Sequence, residues 1–117
     1  MLFFNMISLD GENNTFEERK SQSLKLRNKY PEKLPIIIIP HEIDITKKKF
    51  LVPYEINFAT FMKSISTNIK IKKSEALFCL IGDILPANTQ SMIELYNQNV
   101  NKDGFLYIKM RKENAFG

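Results

Sequence analysis

Apolar residues recur along this chain in two rhythms. Phe58, Phe61, Met62, Ile65 and Ile69 return at spacings of three and four, which predicts an amphipathic helix with one apolar stripe. Residues 34–39 show no polar alternation: Leu34 and Pro35 are followed by Ile36, Ile37, Ile38 and Ile39. Such a run predicts a strand covered on both faces, or on one face plus a binding surface. Pro35 near its start and Pro40 after it bound the run. Residues 47–52 predict a second strand, ended by Pro53, and the short connector 41–46 favours an antiparallel hairpin. A third strand is predicted over 76–81 before a turn at Gly82 and Asp83, and a last one over 105–110.

Polar residues mark where helices begin. Thr15 followed by Glu18 fits a capping box, so a helix is predicted over 16–29, ended by Pro31. Phe16, Ser23, Leu26 and Tyr30 fall near one face of it, and Arg19, Lys20, Lys25, Arg27 and Lys29 make the rest basic. Ser91 with Glu94 opens a further short helix carrying Met92, Leu95 and Tyr96. The order is helix, hairpin, helix, strand, short helix, strand. That order predicts an α+β domain of the β-grasp type, a mixed four-stranded sheet around a central helix, with the N-terminal helix over the other face of residues 36–39. The expected organisation is an N-terminal arm at 1–14, the domain at 15–110 and a flexible C-terminal tail at 111–117.

Composition narrows the function classes. A chain of 117 residues with 44% hydrophobic content supports one domain with a real core. The net charge of +4, from 17 Lys and Arg against 13 Asp and Glu, favours acidic partners or anionic surfaces without identifying either. A single cysteine, Cys79, rules out an internal disulfide, and the single histidine, His41, has no metal-ligand spacing around it. No metal and no cofactor are expected. The apolar start at Met1 has no basic flank and is interrupted by Asp10, and no stretch approaches the ~20 apolar residues of a membrane span. Cys79 and His41 are the one available nucleophile–base pair, but a cysteine within an apolar strand reads as a small buried hydrophobe, so an enzyme is not expected. Lys47, Lys48 and Lys49 alternate across a strand, a weak phosphate footprint, and nucleic acid is not expected as a partner. After the last strand comes a short tail to Gly117. A glycine there has no side chain to obstruct an enzyme channel, which suits a modifier joined through its carboxylate.

Several ordered motifs then carry a family resemblance from about Thr15 to Gly117. They are Phe16-Glu-Glu-Arg19, Leu26-Arg-Asn-Lys-Tyr-Pro31, Leu34-Pro-Ile-Ile37, Lys47-Lys-Lys-Phe-Leu-Val-Pro53, Ala76-Leu-Phe78, Asp103-Gly-Phe-Leu-Tyr-Ile108 and Phe116-Gly117. At these positions the chain resembles the autophagy ubiquitin-like modifiers, whose animal members are GABARAP and microtubule-associated protein light chain 3. The resemblance implies conjugation of Gly117 to phosphatidylethanolamine by E1-like and E2-like enzymes, with a deconjugating cysteine protease that also exposes the glycine. It implies an adaptor on autophagosomal membranes that otherwise resides in the cytoplasm. Its cargo receptors would present aromatic-x-x-aliphatic peptides, added as a strand beside the hairpin.

Matched by position, the resemblance implies an aromatic pocket of Leu26, Pro35, Ile37, Lys49, Leu51 and Phe105. It implies an aliphatic pocket of Phe50, Val52, Pro53, Ile56, Phe61 and Ile65, with Lys33, Lys47 and Lys49 meeting acidic residues of the peptide. For Val52, Phe61 and Ile65 a plain core role is an equal reading. The chain departs from the family in a shorter connector at 40–46, Gln22 at a usually acidic rim position, Ile39 for a glutamate, Ser64 for a leucine and Ser66 for an arginine. Two other functions fit the same domain: a non-conjugated module associated with microtubules or a scaffold, and a modifier joined to protein lysines.

Overall fold

The computed structural model describes residues 7–8, 15–45, 47–67, 69 and 71–114. Gly117, the Leu2, Phe3 and Phe4 cluster, and the tail after Asn114 lie outside the described residues. In chain order the elements are β1 (Ile7–Ser8), α1 (Phe16–Lys29), β2 (Lys33–His41), β3 (Lys49–Pro53), α2 (Phe58–Ser66), β4 (Glu75–Leu80), α3 (Met92–Asn99) and β5 (Leu106–Asn114). The sheet order is β1-β3-β2-β5-β4. Four of these strands form the expected mixed sheet: β2 pairs antiparallel with β3 and parallel with β5, and β4 pairs antiparallel with β5. Two residues from the arm add β1 outside β3.

Alternation along the strands decides the two faces. Leu34, Ile36 and Ile38 of β2 are at most 1% exposed and join Val52, Leu106, Ile108, Met110 and Cys79 in the main core. α2 closes that core with Phe58, Phe61 and Ile65, and α3 adds Met92, Leu95 and Tyr96. The odd residues of β2 point the other way. There the expectation of complete cover fails: Pro35 is buried and Ile37 half-buried, but Ile39 is 42% exposed. The anchors of α1 reach Lys49 and Asp103, and Lys49 stands opposite Ile37 in the register, so the helix does not extend over Ile39.

α1 begins as its sequence demands. Thr15 Oγ1 accepts from the Glu18 N–H at 3.2 Å, and Glu18 Oε1 accepts from the Thr15 N–H at 3.0 Å, which completes the capping box. These bonds hold the Glu18 carboxyl below the usual carboxylate range. The helix is mostly polar and buries fully only Ser23; Phe16, expected on its inner face, is 39% exposed. α1 therefore docks through polar contacts and not through an apolar stripe.

Two element ends differ from the pattern. α2 stops at Ser66, before Ile69, and in its last turn Ser66 Oγ and Thr67 Oγ1 donate to the carbonyls of Lys63 and Ser64. Ile69 still reaches the core from beyond the helix. β5 continues past position 110 to Asn114, where a tail was expected from 111, because β4 pairs along it as far as Glu75 opposite Asn114.

Candidate functional site

β3 carries the geometry that a strand-adding peptide needs. Lys49 and Leu51 face outward toward α1, whereas Phe50 and Val52 face the core. Side chains three residues apart on an extended peptide point to opposite faces. An aromatic-x-x-aliphatic peptide laid along β3 would therefore send its aromatic group to the α1 side and its aliphatic group to the α2 side.

The α1 side gathers the six residues expected at the aromatic pocket. Pro35 stands opposite Leu51, and Ile37 opposite Lys49. Leu26 comes half-buried from α1. Leu51 and Phe105 are 1% and 0% exposed yet lie outside the main core cluster, so they form a separate apolar layer on this face. Lys49 is not an open rim cation. Its ammonium donates to Gln22 Oε1 at 3.3 Å and lies 5.7 Å from the Phe105 ring centroid. Burial, and then repulsion from Arg19, hold its pKa below the ordinary lysine value. Lys33 is half-buried and Lys47 exposed.

The α2 side is tighter. Phe50, Val52, Phe61 and Ile65 are 7%, 0%, 0% and 4% exposed and belong to the core itself. Pro53 and Ile56 are half-buried beside them. An aliphatic group entering here would have to part core side chains, whereas Pro53 and Ile56 already offer surface.

A polar clamp that the sequence did not disclose sets α1 over the outer layer. Asp103, 1% exposed, accepts from Arg19 Nε at 2.9 Å, from the Phe105 N–H at 2.9 Å and from the Tyr107 hydroxyl. Ser23 Oγ donates to the Asp103 carbonyl at 2.6 Å. Tyr96 adds a bond from its hydroxyl to the Gly104 carbonyl at 2.7 Å, with the Arg27 guanidinium 4.8 Å from its ring centroid. Burial and the adjacent carboxylate push the Tyr107 phenol up to about 12. In the sequence Asp103 and Gly104 open one of the motifs of the resemblance, and their local signal is a turn-forming pair, which says nothing of burial.

Cys79 and His41 do not meet. Cys79 pairs with Met110 on the buried face, and His41 pairs with Arg111, the next residue of β5, on the opposite face. Burial pushes the Cys79 thiol up to about 12, which leaves essentially no thiolate at neutral pH. Among the described residues no group of His, Cys, Asp and Glu is arranged to hold a metal ion, and no helix is long and apolar enough to cross a membrane.

A mixed sheet wrapped on α2, with an extra N-terminal helix clamped to its outer face, defines a ubiquitin-like protein. Comparison with known proteins narrows this: the family described as autophagy protein Atg8, ubiquitin like, matches residues 18–117. The chain belongs to the Atg8 family. It is 38% identical over 109 residues to autophagy-related protein 8 of Schizosaccharomyces pombe, covering 88% of each chain. It is 36% identical over 108 residues to autophagy-related protein 8e of Arabidopsis thaliana, covering 89% of this chain and 88% of the other. The crystal structure of Trypanosoma brucei ATG8 superposes with a TM-score of 0.78 at 31% identity, covering 93% of this chain and 100% of that one. Plasmodium falciparum Atg8, solved in complex with a Plasmodium falciparum Atg3 peptide, gives 0.75 at 25% identity, covering 83% and 89%.

Proposed function

We propose that this protein is a conjugated modifier and peptide adaptor of autophagy, not an enzyme. Gly117 is joined to phosphatidylethanolamine by E1-like and E2-like enzymes and released by a cysteine protease. The conjugate sits on autophagosomal membranes, the free form is cytoplasmic, and the β3 edge takes aromatic-x-x-aliphatic peptides from cargo receptors. The observation that carries this reading is the family match through residue 117. The Plasmodium relative in complex with an Atg3 peptide supports a conjugation enzyme as partner. The two-faced β3 edge supports the peptide half, since its alternation suits side chains three residues apart.

The test is incubation with the activating and conjugating enzymes, ATP and vesicles containing phosphatidylethanolamine. Wild type should give a thioester and then a lipid adduct of shifted mobility. Gly117→Ala should lose most of both while keeping its fold by circular dichroism. Normal lipidation of a chain lacking Gly117 would overturn the reading. An adduct on protein lysines in place of lipid would favour the protein-conjugated alternative, and no adduct with intact peptide binding would favour a non-conjugated module.

A further inference from the structure

The outer edge of β3 is already occupied by the chain itself. Ile7 pairs opposite Leu51 and Ser8 opposite Phe50, antiparallel. These are the middle positions of the edge on which the peptide reading depends, one from the outer layer and one from the core side. Each outward N–H and C=O of an edge strand is satisfied by one neighbouring strand, so two extended segments cannot pair there at once. We propose that the N-terminal segment is an internal ligand of the β3 edge and competes with aromatic-x-x-aliphatic peptides for it. The inference rests on the peptide reading above.

The segment is tethered: only residues 9–14 separate Ser8 from Thr15, the cap of α1, and a short tether gives an effective concentration of the order of millimolar. β1 is nevertheless two residues long, and each hydrogen bond contributes little net against water. A longer peptide can therefore displace it.

Charge gives the displacing peptide its advantage. Residues 1–9 contain no Asp or Glu, so the arm brings no carboxylate to Lys33, Lys47 and Lys49. A peptide with acidic residues before its aromatic group does. The competition should thus favour the peptide at low salt and the arm at high salt, where Coulomb attraction is screened.

The experiment compares the full chain with its Ile7→Pro/Ser8→Pro variant, which removes the Ile7 N–H that faces Leu51 and fixes φ at both positions of β1. The probe is a synthetic peptide with two glutamates before a Trp-x-x-Leu core, titrated calorimetrically at moderate salt. The apparent dissociation constant scales inversely with the fraction of free edge, so the variant should bind about three- to tenfold more tightly. Amide hydrogen exchange at Leu51, whose N–H faces the outer edge, measured without peptide, should be faster in the variant. An Ile7→Gly/Ser8→Gly variant keeps the Ile7 N–H and weakens strand propensity; it should give a smaller gain in the same direction. Peptide binding of equal strength in all three proteins would overturn the proposal and leave the peptide reading standing. Unchanged exchange at Leu51 would overturn it too. Absence of peptide binding in every protein would sink the peptide reading and this proposal with it.

Discussion

Ser23 and Gly104 fit together because position 104 has no side chain. A Cβ there would stand 2.1 Å from Ser23 Oγ and 2.8 Å from its Cβ, and Gly104 has φ of +88°, which L side chains rarely adopt. This close approach lets Ser23 Oγ reach the Asp103 carbonyl and seats α1 against the loop before β5. The helix side of the outer apolar layer depends on it.

Gly104→Ala should therefore destabilise the protein by about 1–3 kcal/mol through backbone strain and steric overlap. Adding Ser23→Gly should not restore wild-type stability: it removes the overlapping atoms, but it also loses the bond to the Asp103 carbonyl, places a glycine inside α1 and leaves the strain of a positive φ. Urea denaturation of the three proteins measures both effects. Wild-type stability of Gly104→Ala would mean that α1 is not seated as described.

Asp103→Ala removes the acceptor shared by Arg19, Tyr107 and the Phe105 N–H. With those donors left partly buried, the cost should be about 2–4 kcal/mol. Arg19→Ala should cost less, because the Arg19 side chain is 29% exposed and Asp103 keeps its other two donors. Equal losses for the two variants, measured by thermal unfolding, would contradict the clamp.

Leu51→Ala should weaken binding of an acidic aromatic-x-x-aliphatic peptide about tenfold or more, the value of burying an aromatic side chain in the outer layer. Because Leu51 is 1% exposed, the same change should also lower stability, by about 2–5 kcal/mol. Lys49→Ala should weaken binding less, and mainly at low salt. Calorimetric titration, with circular dichroism to check folding, separates these effects. Unaltered affinity in folded Leu51→Ala would place the groove elsewhere.

Cys79 should resist alkylation in the native state, and Cys79→Ser should cost about 1–3 kcal/mol for a buried hydroxyl without a partner. Conjugation should persist in the folded fraction of that variant. The pH dependence follows from two raised values: Cys79 moves from 9.0 to about 12, and Tyr107 from 10.0 to about 12. Above pH ~9 the unfolded chain releases these protons while the folded chain keeps them. The unfolded state then binds fewer protons, so stability is full below that pH and falls as pH rises toward about 12. Cys79→Val should flatten the lower part of that fall in equilibrium unfolding. An identical slope would show that the thiol is not buried.

By itself the sequence determined the elements from α1 to β5 and their order, but not β1. Helix starts were legible because caps are local: Thr15 and Glu18 lie three residues apart and form the full box, and Ser91 accepts from the Glu94 N–H, one half of the box that its spacing predicts. The hairpin was legible because its connector is short, and the antiparallel pairing of β2 with β3 follows. The outer-layer residues were legible by family resemblance, and the fold does bring Pro35, Lys49, Leu51 and Phe105 to one face. The tertiary structure alone decided what covers them. Lys49 reads as a surface cation, yet its stem runs inward to Gln22 and Phe105; Asp103 reads as a loop acid, yet it is buried under α1. Val52, Phe61 and Ile65 look the same in sequence whether they line a pocket or fill a core, and packing placed them in the core. The extension of β5 to Asn114 and the seating of Ile7–Ser8 on β3 also waited for the fold. Caps and periodicity are decided by residues a few positions apart, whereas burial and edge pairing depend on segments that meet only when the chain has folded.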